Sequence, residues 1–287
     1  MGEGFISLIL FFWGYLLKYG KDHRGMVFFF ACMKPNQKII RSIANNNSSI
    51  TIIYVSETNE LLMTTLRLEL NEKLYLKNPQ DTELGKKIIK HAIQMIDQIG
   101  LEAFTFKKLS QEIDSTEASI YRYFENKHKL LVYLLAWYWN WLEYRIEYET
   151  NNVSSPNEKL KIAIHFICKK QAYDPSFPAV DEVALQRIVI NESEKTYLTK
   201  QVDSDNKDGL FWGYKSLCHK IACMVKIVNP NYPYAHALMS TCLQAAHQQV
   251  FFSEHLPSLT EHGGKEDQVF EQNSLFLMDM ITKTLQN

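Results

Sequence analysis

The segment from Thr116 to Lys127 combines side chains that can bind a polyanion. Small residues open it, and aromatic and basic ones follow: Thr116, Ala118, Ser119, Tyr121, Arg122, Tyr123 and Lys127. Hydroxyl, guanidinium and ammonium groups donate hydrogen bonds to phosphate oxygens and base edges, and small side chains let a helix enter a groove. The segment therefore predicts contact with DNA, provided that a scaffold holds it at the surface.

No comparable group of residues indicates catalysis. The sequence contains no H-E-x-x-H, P-loop, G-x-G-x-x-G or G-x-S-x-G motif. Cys218, His219 and Cys223 are only weak evidence for a metal-binding site, because a second pair of ligands is missing. We predict that the protein is not an enzyme and uses no metal or cofactor.

Three helices are predicted around this segment. The apolar positions of the first recur on one helical face: Leu84, Ile88, Ile89, Ala92, Ile93, Ile96 and Ile99. Asp81 or Thr82 can cap this helix, and Gly100 ends it. Thr105 can cap a second helix over 106–113.

A turn at Asp114-Ser115-Thr116 leads to a third helix over 117–124, which Thr116 can cap. Asp tolerates the left-handed backbone conformation that such a turn needs. Asn126 then caps a long helix from 127 to about 150. Two short helices joined by a tight turn indicate helix-turn-helix geometry, in which the second helix enters the major groove.

The segment Ile99–Leu131 resembles the DNA-binding domain of the tetracycline-repressor (TetR) family. The shared pattern is Gly100, Thr105, the turn at Asp114, Thr116, Tyr121-Arg122-Tyr123-Phe124 and Lys127. Asp114 and Ser115 depart from the glycine and the apolar residue that the family usually has. The resemblance implies a DNA-binding domain over 81–130, with contacts from Thr105, Lys107, Lys108, Thr116, Ala118, Ser119, Tyr121, Arg122, Tyr123 and Lys127. Core packing is the alternative for Tyr123, and a solvated lysine for Lys127.

Residues 131–287 are predicted to form a helical domain. Periodicity and breakers predict helices over 127–149, 156–172, 178–195, 207–228, 233–254 and 267–286. The resemblance implies a ligand pocket here and a homodimer interface on the last two long helices, about Tyr234–Glu254 and Asp267–Leu285. A stripe on the first of them permits close packing: Leu238, Cys242, Ala245, Ala246 and Gln249. A core face within one monomer is the alternative.

Aromatic residues make up 13% of the chain and cluster in this domain. They could line a pocket for a flat or apolar small-molecule effector, with polar members to orient it. The predicted pocket residues are Trp137, Trp141, Tyr144, His165, Phe166, Arg187 and Trp212. An ordinary aromatic core is the alternative for each aromatic one.

Charge and cysteine content restrict how the protein can contact DNA and in which compartment it works. The chain of 287 residues has a formal net charge of −1, and the window 81–130 holds eight basic and eight acidic residues. Contact with phosphates therefore requires the charges to be segregated by face. Five cysteines without a C-x-x-C pair do not indicate a disulfide framework, and a reducing cytoplasm fits them.

Residues 1–80 form an atypical N-terminal extension. Phe5–Leu17 is an apolar run of thirteen residues, shorter than the roughly 20 that span a bilayer, and no basic residue precedes it as in a signal peptide. A membrane anchor, a poorly structured extension and a mis-assigned start are the three interpretations. The abrupt change in composition favours the last, with Met63 as a candidate true start.

These patterns predict an all-α fold, with an N-terminal three-helix helix-turn-helix domain and a C-terminal helical ligand-binding and dimerisation domain. The predicted function is transcription regulation by a cytoplasmic homodimer that binds a palindromic operator in double-stranded DNA and is released by an effector. The residues leave repression and activation both open. The alternative is a helical interaction protein or membrane-tethered signalling protein in which the helix-turn-helix only braces the fold.

Overall fold

The structure, a computed structural model, describes residues 39–45, 48–54 and 64–286. These fall into two units that divide between Glu69 and Leu70. Phe5–Leu17 and Met63 lie outside the described residues, so the interpretations that depend on them stay predictions. Among the helices that the structure describes, none combines the length and the apolar character needed to cross a bilayer.

The first unit contains a three-stranded antiparallel sheet in the order β1-β2-β3. The strands are β1 (Ile39–Asn45), β2 (Ser48–Tyr54) and β3 (Thr64–Leu68). Asn45 pairs with Ser48 across the first two strands, and Ile50 pairs with Leu68 across the last two. Sequence analysis did not predict this sheet, although the β-branched residues 50–53 favour a strand.

The second unit, from Leu70 onward, is all-α as predicted. Its helices are α1 (Glu83–Ala103), α2 (Phe106–Glu112), α3 (Glu117–Tyr121), α4 (Lys127–Thr150), α5 (Pro156–Cys168), α6 (Glu182–Glu192), α7 (Glu194–Tyr197), α8 (Val202–Lys207), α9 (Trp212–Val228), α10 (Ala235–His255) and α11 (Glu266–Gln286). The helix predicted over 178–195 is two helices, α6 and α7, and α8 was not predicted separately. The other long helices begin and end within about five residues of their predicted bounds.

Residues 70–81 pack as part of the helical unit, although sequence analysis assigned positions up to 80 to the extension. Leu74 is buried. The Asn71 side-chain amide donates to the Asp208 carbonyl at 2.9 Å, and the backbone N–H of Leu76 donates to the Tyr123 carbonyl at 2.8 Å. These contacts fasten the segment that leads into α1 to both halves of the unit.

Helix α4 forms the centre of the core. Every residue from Leu130 to Glu143 is buried, which agrees with the absence of a polar face in its sequence. Helices α5 and α9 pack along it. Gly213 of α9 meets Asn140 of α4, where a Cβ atom would overlap the asparagine side chain. This close approach explains why glycine stands at position 213.

Candidate nucleic-acid interface

Hydroxyl and amide side chains cap the helices of the helix-turn-helix as predicted. The Oγ1 atoms of Thr82, Thr105 and Thr116 accept the backbone N–H groups three residues on, at 3.0, 3.2 and 3.2 Å. Asn126 Oδ1 accepts the N–H of Lys129 at 2.9 Å and so begins α4. Each cap satisfies an N–H group that the helix itself leaves unbonded.

The turn between α2 and α3 has the predicted left-handed residue. Asp114 has φ of 51° and is the one non-glycine residue with positive φ among those that the structure describes. The backbone N–H of Ser115 donates to the Ser110 carbonyl at 2.9 Å. Asp114 therefore adopts the left-handed backbone conformation that a glycine at this position would also adopt.

The inner side of α3 is fixed in the core. Ile120 and Phe124 are fully buried, and Leu109 and Ile113 of the preceding helix and turn are buried with them. The helix ends at Tyr121, three residues earlier than predicted, and Arg122 is its C-cap. The orientation of α3 is therefore set by apolar packing on one side.

The leading edge of α3 faces solvent. Thr116 and Ala118 are exposed and Ser119 is half-buried. Tyr121 is 46% exposed, and its ring meets the ring of Phe106 edge-on at 5.0 Å. A short helix with a buried back and an exposed, small and polar front is the arrangement that entry into a groove requires.

Two exposed cations lie on α2 and at the end of α3. Within residues 64–286, neither the Lys107 nor the Arg122 side chain has a hydrogen bond or ion pair. Lys108, one residue on, donates to the Ala103 carbonyl at 2.8 Å. Thr105 is exposed and caps α2. Lys107 and Arg122 are therefore exposed cations whose charge is not matched within the described residues.

Tyr123 lies in the core, as the packing alternative proposed. It is 3% exposed, and its hydroxyl group is 2.7 Å from Thr82 Oγ1. Lys77 Nζ lies 5.3 Å from the centre of its ring. The Tyr123 side chain does not belong to the exposed surface, because its hydrogen bond points towards the start of α1.

Lys127 braces the domain from inside. Its ammonium group donates to the carbonyls of Leu101, Glu102 and Phe104, at 3.0, 3.3 and 3.5 Å. These carbonyls end α1 and lead into α2, where Gly100 breaks the helix with φ of 72°. In this arrangement the lysine ties the first turn of α4 to the connection between α1 and α2.

The residues predicted to form a ligand pocket do not come together in one cavity. Trp137 and Trp141 are buried and stack on each other at 6.2 Å, and the Phe166 ring is buried beneath Lys169 Nζ at 3.8 Å. Arg187 is exposed and forms two hydrogen bonds with Asp97 of α1, at 2.8 and 2.6 Å. The remaining three, Tyr144, His165 and Trp212, are half-buried or exposed. The packing alternative therefore fits Trp137, Trp141 and Phe166.

A different cavity opens on the same half of the molecule. This groove, of about 420 Å³, lies between α6, α7, α9 and α10, with Trp139 of α4 at its base. Its aromatic lining is Trp139, Tyr197, Tyr214, His247, Phe251 and Phe252. Burial lowers the pKa of His247 to about 4, so the ring is neutral at physiological pH. We call this cavity the aromatic groove.

The last two helices pack against each other and leave apolar side chains on the outside. Val269, Phe270, Leu277 and Ile281 of α11 are buried, and the Asn273 amide donates to the Ala246 carbonyl at 2.7 Å. Leu275 and Phe276 are 65% and 42% exposed. In the predicted stripe Cys242 and Ala246 are buried, whereas Leu238, Ala245 and Gln249 are half-buried.

The cysteine and histidine cluster on α9 does not have the form of a metal site. His219 Nδ1 lies 2.9 Å from His236 Nε2, and Cys223 Sγ lies on the opposite side of the ring, 3.5 Å from His219 Nε2. Across the described part of the chain, no group of three or more histidine, cysteine, aspartate or glutamate residues could hold a metal ion.

Three further residues contact the connection between α1 and α2 or line the aromatic groove, and the sequence analysis did not predict them. Glu192 receives the N–H of Leu101, Lys195 pairs with Glu192, and His247 is buried in the groove. The spacing of His247 from Leu243 and Val250 places it on the buried face of α10, a signal that could have identified it. The contact of Glu192 with Leu101 joins positions 91 residues apart, so no local pattern indicates it.

Comparison with known proteins connects the interface to a family. Residues 88–134 match the family model described as "Bacterial regulatory proteins, tetR family". A comparison of the whole sequence with curated proteins gives no match.

Among solved structures, three similar ones have TM-scores below 0.5. The fatty acid degradation regulator FadR from Bacillus halodurans is 18% identical, with a TM-score of 0.47, over 67% of this chain and 96% of that one. The ketosteroid transcriptional regulator KstR2 of Mycobacterium tuberculosis is 14% identical, with a TM-score of 0.45, over 69% and 92%. The superantigen PfiT is 12% identical, with a TM-score of 0.46, over 70% and 97%. Similarity at this level does not distinguish one function from another.

Proposed function

This chain carries the segment that matches the tetR family of bacterial regulatory proteins, and on that premise we propose that it is a ligand-released repressor. It binds a palindromic operator in double-stranded DNA as a homodimer in the cytoplasm. The two copies of α3 enter successive major grooves, so their separation sets the spacing of the half-sites. An apolar or aromatic effector favours a conformation in which the separation of the two α3 helices no longer matches the spacing of the half-sites.

The observation that carries the proposal is the surface of α3. Thr116, Ala118 and Tyr121 are exposed at its leading edge, while Ile120 and Phe124 hold its back in the core. Lys107 on α2 and Arg122 at the end of α3 have no side-chain partners in residues 64–286. We propose that these two side chains bind phosphates and that Thr116, Ala118, Ser119 and Tyr121 face the groove. Thr105 and Lys108 are proposed as further backbone contacts.

The exposed side chains of α11 support the homodimer. A surface leucine and phenylalanine in neighbouring positions, Leu275 and Phe276, would be buried if α10 and α11 of two copies packed as a four-helix bundle. Leu275→Glu should convert the dimer to a monomer in sedimentation experiments. The matched change Leu259→Glu, at an exposed leucine outside these helices, should leave it dimeric.

Binding to the DNA upstream of the protein's own gene tests the proposal. Arg122→Ala and Lys107→Ala should each weaken binding several-fold, and each should lower the slope of log affinity against log salt by about 1. Lys161→Ala is the matched control, because Lys161 is an exposed lysine on α5. Failure of the native protein to bind, or equal losses for all three variants, would contradict the proposal. Binding that did not weaken with salt would favour a protein partner instead.

A further inference from the structure

We propose that the aromatic groove is the effector site of this regulator and that it takes an uncharged, planar aromatic molecule bearing one O–H or N–H group. We further infer that Glu192 transmits occupancy of the groove to the DNA-binding domain. The binding site stands on the structure of the groove, whereas the transmission step rests on the proposed function.

The size and lining of the groove select the shape of the ligand. A cavity of about 420 Å³ lies within the range of roughly 300–1,000 Å³ that small-molecule sites occupy. The rings of Trp139 and Tyr214 are 4.9 Å apart, and Tyr197 lies 5.4 Å from Tyr214. Planar aromatic molecules gain most from such a wall, because ring pairs add to the free energy of apolar burial.

His247 selects the hydrogen-bonding group of the ligand. Its ring lines the groove and lies 5.4 Å from the ring of Trp139. The backbone of Leu243, one turn earlier in α10, favours a proton on the imidazole, and the Nε2 atom is buried without a partner in the described structure. A backbone carbonyl one turn back accepts from Nδ1–H, which leaves Nε2 as a neutral acceptor. A buried acceptor without a partner is costly, and a ligand O–H or N–H would satisfy it.

The charges at the rim favour an uncharged ligand. Lys195 and Glu194 both line the groove. The Lys195 ammonium is 2.7 Å from Glu192 and 3.5 Å from Glu102, so its charge is already matched. An anionic ligand would compete with these carboxylates, and a cationic one would meet only the solvent-exposed carboxylate of Glu194, where screening by water makes an ion pair weak. A neutral ligand meets neither cost.

The same lysine begins a chain of contacts that reaches the helix-turn-helix. Lys195 pairs with one oxygen of Glu192, and the other oxygen accepts the backbone N–H of Leu101 at 3.0 Å. The carbonyl of Leu101 accepts from Lys127, the first residue of α4. A displacement of α7 by a ligand therefore acts on the connection between α1 and α2, on which the placement of α3 depends.

Binding of two aromatic probes to the isolated protein tests the site without DNA. 2-Naphthol should bind about five- to tenfold more tightly than 2-methoxynaphthalene in calorimetric titrations, because only the former donates a hydrogen bond. In His247→Leu this preference should disappear. Equal affinities for the two compounds, no binding of either, or an unchanged preference in His247→Leu would overturn the site. The comparison of two compounds on the native protein needs no variant to fold.

A second experiment tests the transmission step. Saturating 2-naphthol should weaken the native protein's affinity for its upstream DNA at least fivefold. Glu192→Gln keeps an oxygen that can accept the N–H of Leu101 but loses the ion pair with Lys195. This variant should still bind 2-naphthol, but saturating 2-naphthol should change its DNA affinity less than twofold. Glu158→Gln, an exposed carboxylate on α5, should respond like the native protein. An undiminished response in Glu192→Gln would overturn the step. A protein that binds 2-naphthol but no DNA would defeat the proposed function and leave the site intact.

Discussion

The hydroxyl groups of Tyr123 and Thr82 lie 2.7 Å apart, so the tyrosine that follows α3 is fastened to the residue that caps α1. The Thr82 hydroxyl also accepts the N–H of Gly85 at 3.0 Å. The start of α1 and the end of α3 are therefore held by one small hydrogen-bonded group. A side chain used in this way stabilises the domain.

Tyr123→Phe should lower the free energy of unfolding by about 1 kcal/mol, because one buried hydrogen bond is lost. Affinity for upstream DNA should change less than twofold. Urea denaturation and fluorescence anisotropy measure the two quantities. The control is Tyr121→Phe, which removes an exposed hydroxyl and should leave the stability unchanged. A large loss of DNA affinity in Tyr123→Phe with native stability would make Tyr123 a direct contact.

Gly85→Ala should destabilise the protein by about 3 kcal/mol. A Cβ atom at Gly85 would overlap the backbone of Pro79, which cannot move like the end of a flexible side chain. Gly263→Ala is the matched control, since nothing lies within 4 Å of a Cβ atom there. Denaturation curves for the two variants give the comparison. Equal stabilities would mean that residues 79–81 do not pack on α1.

Asp114→Val should cost about 1–2 kcal/mol, because a β-branched residue is strained at φ of 51°. Asp114→Gly should stay within about 1 kcal/mol of the native protein, since glycine adopts this conformation freely but is more flexible when unfolded. Because Asp114 is exposed, neither substitution removes buried contacts, and the difference in stability between the two variants reflects the backbone conformation. The order of thermal midpoints checks it, and a valine variant as stable as the glycine variant would contradict it.

Glu182→Gln should make stability less sensitive to pH. Burial raises the pKa of Glu182 from 4.5 to about 7, although the N–H of Asp174 donates to its carboxyl at 3.1 Å. Between pH 4.5 and 7 the unfolded chain loses this proton while the folded protein keeps it. Stability therefore falls as the pH rises through this window and remains lower above it, by about 3 kcal/mol.

The glutamine variant has no such proton to lose. Its thermal midpoint should match that of the native protein at pH 4.5 and exceed it at pH 8. Glu158→Gln, an exposed carboxylate, should follow the native curve throughout. Parallel curves for the native protein and Glu182→Gln would show that Glu182 does not titrate in this range.

The helix caps and the turn of the helix-turn-helix could be predicted because they are local. Thr105, Thr116 and Asn126 each bond an N–H only three residues away, and the backbone of Asp114 depends on its own residue type. Tyr123 and Lys127 belong to the same short segment, yet the sequence does not specify their directions. Their partners, Thr82 and the carbonyls near Leu101, come from other helices.

The aromatic groove was harder to predict than the helix caps, for a physical reason. Helix α4 is apolar on all faces, so its periodicity does not tell which aromatic residues point to a cavity. Trp139 lines the aromatic groove, whereas Trp137 and Trp141 stack in the core. The ring of Trp139 meets Tyr214 of α9 and His247 of α10, whereas that of Trp137 meets Phe177, and all three partners come much later in the chain.

The burial of α4 from Leu130 to Glu143 also restricts how this protein can be recombined with others. At 1.5 Å per residue, its 24 residues form one rod of about 36 Å that starts at the helix-turn-helix and continues into the rest of the helical unit. No surface-exposed linker separates the two halves along this rod. Grafting residues 70–126 onto another helical body would therefore require the recipient to supply a matching central helix.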